Sequence, residues 1–318
     1  MDNKGYIGVD LGGTKISIGL FDISGNLLFR EKISIAQKKG IEVVDTVADM
    51  IKKAYEVGKR QKRIIESAGI GIPGIYYRDS GKVWAPNIEG FDHFPLRQEL
   101  EDRVEEISIK LNFDSDRACY ILGETWKGAA LGCKHAIFLA VGTGIGAGIL
   151  IDGKVLRGKQ DIAGAIGWMV LHTHHLPEGE SVSSFESRAS GAGMAKLAQQ
   201  LCEEGWSHLS EKIEYHKTWS AQEVFKAWKD EDPIAEKVIK VSIEYWGMAV
   251  ANLVSIFNPE VIIFGGGVFG PGVALLPAIT EEAKKWAQPL SMKSVRIVLS
   301  DLGPDAGLYG AAYLAINQ

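Results

Sequence analysis

Three short glycine-rich turns carry the strongest chemical signal in the sequence. Asp10-Leu11-Gly12-Gly13-Thr14-Lys15 lies between two apolar runs. A turn of this kind points backbone N–H groups and a hydroxyl outward, which makes a cradle for phosphate oxygens, and Asp10 at the preceding strand end could hold a metal-bound water. Seen alone, Gly12-Gly13 reads first as a plain hairpin turn and second as a nucleotide site. The pattern recurs in Gly142-Thr143-Gly144-Ile145-Gly146, and Gly265-Gly266-Gly267 ends a further apolar run. Three such turns around one cleft would hold two phosphates and an adenosine. Gly142, Gly144 and Ala147 also satisfy a relaxed dinucleotide fingerprint, but that motif needs a helix after the turn and an acidic residue about 20 positions on. Residues 147–151 read as a strand, and no Walker lysine is present.

A second cluster is Asp114-Ser115-Asp116-Arg117-Ala118, followed by Gly123-Glu124. Phosphorylating a hydroxyl needs a positioned carboxylate to take the proton, an effect worth ~10² to 10⁴ in rate. This segment supplies two. Asp116 reads equally as a helix N-cap, a role that aspartate fills regardless of catalysis. His172, His174 and His175 alternate as metal ligands on a strand would, but no thiolate or carboxylate pair at ligand spacing accompanies them, so exposed loop histidines are the simpler reading. Trp168 reads first as core filling, and second as an aromatic face able to stack on a pyranose ring.

The elements that must position these groups follow from hydrophobic period. Residues 7–10, 16–21 and 27–35 read as three meandering strands, residues 43–55 as an amphipathic helix, and residues 68–72 as a strand ending at Pro73-Gly74. A helix near 97–104, a strand at 107–113 and a helical stretch from 117 follow, and a domain boundary is expected there. The opening pattern then recurs: strand 136–141, a glycine turn, strand 147–151, the Asp152-Gly153 turn and strand 154–156, a weak structural duplication. Residues 236–257 read as a long, nearly all-apolar and therefore buried helix, stopped by Asn258-Pro259-Glu260 ahead of strand 261–264. Residues 307–316 form a small-residue helix suited to close packing.

Length and composition bound the reading. The 318 residues suffice for about two domains. With 46% apolar and 24% charged residues, neither disorder nor a disulfide scaffold is expected. The net charge of −5 and scattered basic residues argue against nucleic acid or a membrane surface as a partner. Cys119, Cys133 and Cys202 are odd in number and far apart, which suits a reducing, cytoplasmic setting. No signal-peptide pattern opens the sequence, and no apolar run approaches ~18 residues, so neither export nor membrane spanning is expected.

In ordered motifs along nearly its whole length, the sequence resembles the ROK sugar kinases of the actin-like ATPase superfamily. Asp10 to Lys15 is similar to the family's first phosphate loop, residues 142–148 to its second, and residues 257–267 to its adenosine segment. Asp305-Ala306-Gly307-Leu308-Tyr309-Gly310-Ala311-Ala312 resembles its closing helix. The resemblance implies an α/β fold of two actin-like, ribonuclease H-like domains with a cleft between them, here 1–117 with 304–318, and 118–303. It implies ATP, with Asp10, Gly12, Gly13, Thr14, Lys15, Gly142, Thr143, Gly144, Gly146, Gly265, Gly266 and Gly267 around the nucleotide and Asp10 holding Mg²⁺ through water. Counting back from Gly123-Glu124, it makes Asp116 the catalytic base. Gly74, Asn87, Ser115, Asp116 and Glu186 become the sugar side, with Ser115 replacing an asparagine and Asp114 standing where glutamate is frequent.

The sequence also departs from the family. Its Glu-x-Gly-His segment reads Ala165-Ile166-Gly167-Trp168, and residues 171–186 contain no cysteine where the family has a zinc loop. No structural zinc is therefore expected, with Leu176, Val182 and Phe185 as apolar anchors of that stretch. Without that glutamate and histidine, poor use of glucose and better use of a sugar altered near the anomeric carbon or C2 are expected. The activity implied is ATP-dependent phosphorylation of a hexose or hexose derivative; the partner is a small sugar, and a homodimer is compatible with it. The alternative is a catalytically weak sugar-binding or regulatory relative; it would lack a DNA-binding module, since the first phosphate loop starts at Asp10.

Overall fold

The computed structural model describes residues 3–171, 185–205 and 218–317. Its first compact unit comprises Met1–Gly132, Gly148–Ala163 and Pro304–Gln318. An antiparallel meander of β1 (Lys4–Leu11), β2 (Lys15–Phe21) and β3 (Leu27–Ser34) leads into α1 (Ile41–Arg60) and β4 (Ile64–Ile72). A small hairpin of β5 (Ile75–Tyr77) and β6 (Lys82–Trp84), then α2 (Leu96–Val104), β7 (Lys110–Ser115) and α3 (Asp116–Lys127), complete the run. The sheet order is β3-β2-β1-β4-β7, with β1, β4 and β7 parallel.

Helix α1 forms because Val43, Val44, Val47, Met50, Ile51 and Ala54 recur at helical spacing, and all six are buried in one core with β1, β2 and β4. Full burial of a valine or isoleucine contributes about 1.5–3 kcal/mol over exposure, so a charge at Val47 would undo the docking. The turn after Val104 is a short 3₁₀ segment, which delays β7 to Lys110, three residues later than the expected 107.

The second unit comprises Cys133–Ala147 and Gly164–Gly303. Strands β8 (Ala136–Val141), β9 (Ile145–Ile151) and β10 (Lys154–Val155) repeat the meander, and the boundary between units falls within β9. There follow α4 (Glu186–Ala189), α5 (Gly191–Glu203), α6 (Ala221–Lys229), α7 (Pro233–Phe257), β11 (Val261–Gly265), α8 (Leu276–Lys284), α9 (Pro289–Ser294) and β12 (Arg296–Leu299). The second sheet has the order β10-β9-β8-β11-β12, the same plan as the first, with β8, β11 and β12 parallel. Helix α7 starts where Asp232 accepts a hydrogen bond from the Ala235 N–H and Pro233 presets the first turn; it stops at Asn258, which takes the left-handed conformation.

The last helix, α10 (Ala306–Ile316), belongs to the first unit and packs along α3 and on β1 and β4. Small residues make this approach feasible: the Gly310 Cα lies against the Cys119 carbonyl, and Gly123 against that of Ala306. Because α3 docks here, the compact unit runs on to Gly132, past the division expected at 117. Residues 148–163 join it as well.

Candidate active site

Parallel strands place their carboxyl ends on one rim. Asp10 stands opposite Gly71 across β1 and β4, and Ile72 opposite Ser115 across β4 and β7. Asp10, the Gly71-Ile72-Pro73-Gly74 turn and Asp114-Ser115-Asp116 therefore share the edge where open α/β sheets bind ligands.

At the β7–α3 junction the N-cap is Ser115, not Asp116: the Ser115 Oγ accepts a hydrogen bond from the Ala118 N–H at 3.2 Å. Asp116 is the first residue of the helix, and its carboxylate is not the cap. Its Oδ1 accepts from the Arg117 N–H at 2.7 Å, and the Tyr120 hydroxyl lies 3.5 Å from Oδ2. Burial pushes Asp116 up from 3.8 to about 6. Asp10 is pushed up to about 7, first by burial and second by the Asp116 charge, with Lys15 and Lys32 opposing. Among the described residues neither carboxylate is in an ion pair. Asp10 and Asp116 repel each other at the same rim, and two such carboxylates form a donor set that fits a divalent cation.

Asp114, two residues before Asp116, is wired differently. Its Oδ2 accepts from Arg157 Nε at 3.0 Å and Nη2 at 2.6 Å, and its Oδ1 from the Ser115 N–H at 2.9 Å. It is buried and fully occupied.

The first glycine turn is closed by the Gly12 N–H donating to the Lys15 carbonyl at 2.9 Å, which leaves Thr14 and Lys15 exposed. Asn87 comes to Gly13: a Cβ added there would sit 3.0 Å from the Asn87 Cβ. Gly74 has a positive φ of 89°, and its carbonyl accepts from Arg117 Nη2 at 3.2 Å. On the opposite side of Asp10, α10 begins so close that a Cβ at Gly307 would lie 2.8 Å from Asp10 Oδ1. Only glycine fits.

In the second unit, Gly142, Thr143, Gly144 and Gly146 lie between β8 and β9 or at the start of β9. Ser190 caps α5, and the first N–H groups of that helix, from Gly191 and Ala192, donate to the carbonyls of Gly142 (2.8 Å) and Thr143 (3.3 Å). Glu186 reaches under the turn: its Oε2 accepts from the Ile145 N–H at 2.6 Å, and a Cβ at Gly144 or Gly167 would lie 2.7 or 2.9 Å from that oxygen. Gly265 ends β11, Gly267 opens a 3₁₀ turn, and Gly266, at a φ of 91°, lies against the Val141 backbone next to the second turn. The structure thus gathers the two glycine turns of this unit around one backbone cradle.

Trp168 is 67% exposed and makes no ring contact among the described residues, so it does not fill the core as expected. Phe185 is buried, while Leu176, Val182 and the three histidines lie outside the described residues. Among the described residues no group of three or more histidine, cysteine or acidic side chains could hold a metal, and no helix is long and apolar enough to cross a membrane.

Sequence reasoning missed Tyr120, Arg117 and Arg157. Helical spacing could have found Tyr120, since position i+4 from Asp116 shares its face. Arg157 follows a two-residue strand, and nothing local marks it.

The family model of the ROK family matches residues 6–318. A glucokinase of Halalkalibacterium halodurans is 33% identical over 100% of this chain and 97% of its own length. An N-acetyl-D-glucosamine kinase of Salmonella typhimurium is 26% identical over 98% of this chain and 100% of its own. Among solved structures, a ROK family glucokinase from Streptomyces griseus in complex with glucose and AMPPNP superposes with a TM-score of 0.75 at 29% identity, covering 99% of this chain and 100% of that one.

Proposed function

The chain belongs to the ROK family, and from that premise we propose that it is an ATP-dependent sugar kinase acting on a hexose or hexose derivative, with Asp116 as general base. The observation that carries this reading is the contrast at the β7–α3 junction. Asp114 is bonded to Arg157, Asp116 has no ion-pair partner among the described residues, and Ser115 has taken over the cap.

In this reading the substrate hydroxyl gives its proton to the Asp116 carboxylate while its oxygen bonds to the γ-phosphorus and ADP leaves. Asp116 is raised to about 6, so it is ionised at neutral pH yet basic enough to accept the proton. The N–H groups of Gly13 and Gly144, with Thr14, Thr143 and Lys15, would receive phosphate oxygens; Gly12 and Gly142, whose N–H groups close their own turns, and Gly146 shape the two loops, and Gly265, Gly266 and Gly267 border the adenosine. Asp10 would hold Mg²⁺ through a water, and the cation would neutralise phosphate charge when bound. Relief of two facing carboxylates supports that placement.

Gly74, Asn87, Ser115 and Glu186 complete the sugar side. Glu186 already accepts from Ile145, so one of its oxygens serves the turn and the other is left for a sugar hydroxyl. Ala165 and Trp168 supply no carboxylate and no imidazole, which favours a sugar substituted at C2 or near the anomeric carbon over glucose. A cytoplasmic setting is consistent with this reading. Neither nucleic acid nor structural zinc has a role in it, and a homodimer is compatible with it.

ADP release against a panel of hexoses and hexose derivatives tests the proposal. Sugar-dependent release is expected, with N-acetylglucosamine or another substituted hexose ahead of glucose. No sugar-dependent release with any member would overturn the kinase reading and leave a weak sugar binder. Glucose as the best substrate at micromolar KM would overturn the sugar preference alone.

A further inference from the structure

Arg157 lies on the strap that leaves β10 and runs to Ala163, within the first unit. The strap is fastened at both ends. Arg157 holds Asp114 through two hydrogen bonds to one carboxylate oxygen, and its Nη1 donates to the Val155 carbonyl at 3.1 Å. Its own carbonyl accepts from the Ala163 N–H at 3.0 Å, and Asp161 Oδ2 accepts from the Arg78 N–H, just beyond β5, at 3.2 Å.

Asp114 is in turn bonded to the Ser115 N–H, and Ser115 caps the helix that Asp116 opens. The bonds to Asp114 are charge-assisted, the Ser115 hydroxyl accepts from the Ala118 N–H, and Asp114 is buried. A buried ion pair of this geometry fixes position more than it adds stability, because its attraction largely offsets desolvation. The second bridge is made by Arg117, which leaves α3 one residue after Asp116 and ties Gly74.

We propose that Arg157 is a positioning residue for Asp116: it locks the carboxyl end of β7, and with it the direction in which the Asp116 carboxylate leaves the first turn of α3. The proposal rests on the reading of Asp116 as the base. A general base must sit within hydrogen-bond reach of the proton it takes, and a misplacement of about 1 Å costs on the order of a hundredfold in rate. Arg157 does this without touching the reactants.

The test compares Arg157→Met, Arg157→Lys, Asp114→Asn and the double variant Asp114→Asn/Arg157→Met with the parent and with Asp116→Asn. Each is assayed for kcat, for the KM of ATP and of the best sugar, and for melting temperature, with kcat normalised to sites that bind AMPPNP. Arg157→Met and Asp114→Asn should each lower kcat roughly tenfold to a hundredfold with both KM values within about twofold. Lysine, a compact charge able to make one of the two bonds, should recover part of the loss. The double variant should be no worse than the worse single variant, since both singles break one link.

A kcat per binding site equal to the parent's in Arg157→Met would overturn the proposal, as would multiplicative losses in the double variant. A raised sugar KM at unchanged kcat would overturn it too, and would put Arg157 on the sugar instead. Should Arg157→Met not fold, Arg157→Lys and the double variant, which leaves no unpaired charge, carry the same comparison. If Asp116→Asn itself retains more than about a tenth of kcat, the base assignment fails rather than the role of Arg157.

Discussion

The two units share a sheet plan but wire their carboxylates in opposite ways. In each, a glycine stands against an acid: Gly307 against Asp10 in the first unit, Gly144 and Gly167 against Glu186 in the second. Asp10 has no ion-pair partner among the described residues and is pushed up to about 7 by burial and then by the Asp116 charge. Glu186 is bonded to the backbone of the turn above it. One topology thus yields a pair of acids with raised pKa values in one copy and a braced backbone cradle in the other. Duplication supplies the frame, and the side chains under the turns decide what each copy does.

Asp10→Asn separates the two most sharply. Loss of the group proposed to hold Mg²⁺ should remove several kcal/mol of transition-state stabilisation, more than about a hundredfold in kcat. The same change relieves repulsion with Asp116, so melting at pH 8 should not fall below that of the parent. A variant that kept its activity would remove the contrast between the units.

Glu186 should behave in the reverse sense. Glu186→Ala orphans the Ile145 N–H, which costs about 1–3 kcal/mol, and should lower the melting temperature and raise the KM of ATP. Glu186→Gln keeps an acceptor for Ile145, so its ATP KM should stay near the parent's while sugar KM rises. Equal effects of the two substitutions on ATP would show that charge, not the backbone bond, is what the turn needs.

The glycine pair offers a smaller perturbation. Gly307→Ala and Gly144→Ala each drive a methyl into a carboxylate oxygen, and overpacking of this kind costs about 1–3 kcal/mol. The first should raise the Mg²⁺ concentration needed for half-maximal rate; the second should raise the KM of ATP at unchanged Mg²⁺ requirement. Interchanged phenotypes would contradict the division of labour.

Much of this frame was legible in the sequence. The strand at 136–141 and the end of the helix at Phe257 are found where period and the Asn258-Pro259 stop put them; the strand is buried through most of its length, but the helix, expected to be buried nearly all round, has 12 of its 25 residues buried and exposes Glu236, Lys237, Lys240, Asn252, Ser255 and Ile256. The hairpin of β5 and β6, three residues per strand, was not legible, nor were α5, α6 and β12, whose patterns are short or mixed. At the site, Asp10 and the glycine turns announce themselves by residue type. The partition between Asp114 and Asp116 does not, because it is set by Arg157 from 43 positions away and by which of two neighbours caps the helix.

A pH profile gives the smallest but most specific signal. Asp116 is raised in the folded state from 3.8 to about 6, so the base is protonated, and kcat/KM lost, as pH falls through about 6. For stability the sign is opposite: the folded state holds this proton more tightly, so Asp116 costs stability as pH rises from 3.8 through about 6. An acid limb displaced to the ordinary carboxylate range would mean that the base is a solvated group elsewhere.

The most direct measurement is sugar-dependent ADP release by Asp116→Asn beside its affinity for AMPPNP. An amide keeps the shape of the carboxylate but accepts no proton, so kcat should fall by at least ~10² while AMPPNP affinity and folding are retained. More than about a tenth of the parent kcat with AMPPNP affinity intact would contradict the account, since no other uncommitted acid on that rim could replace it except Asp10.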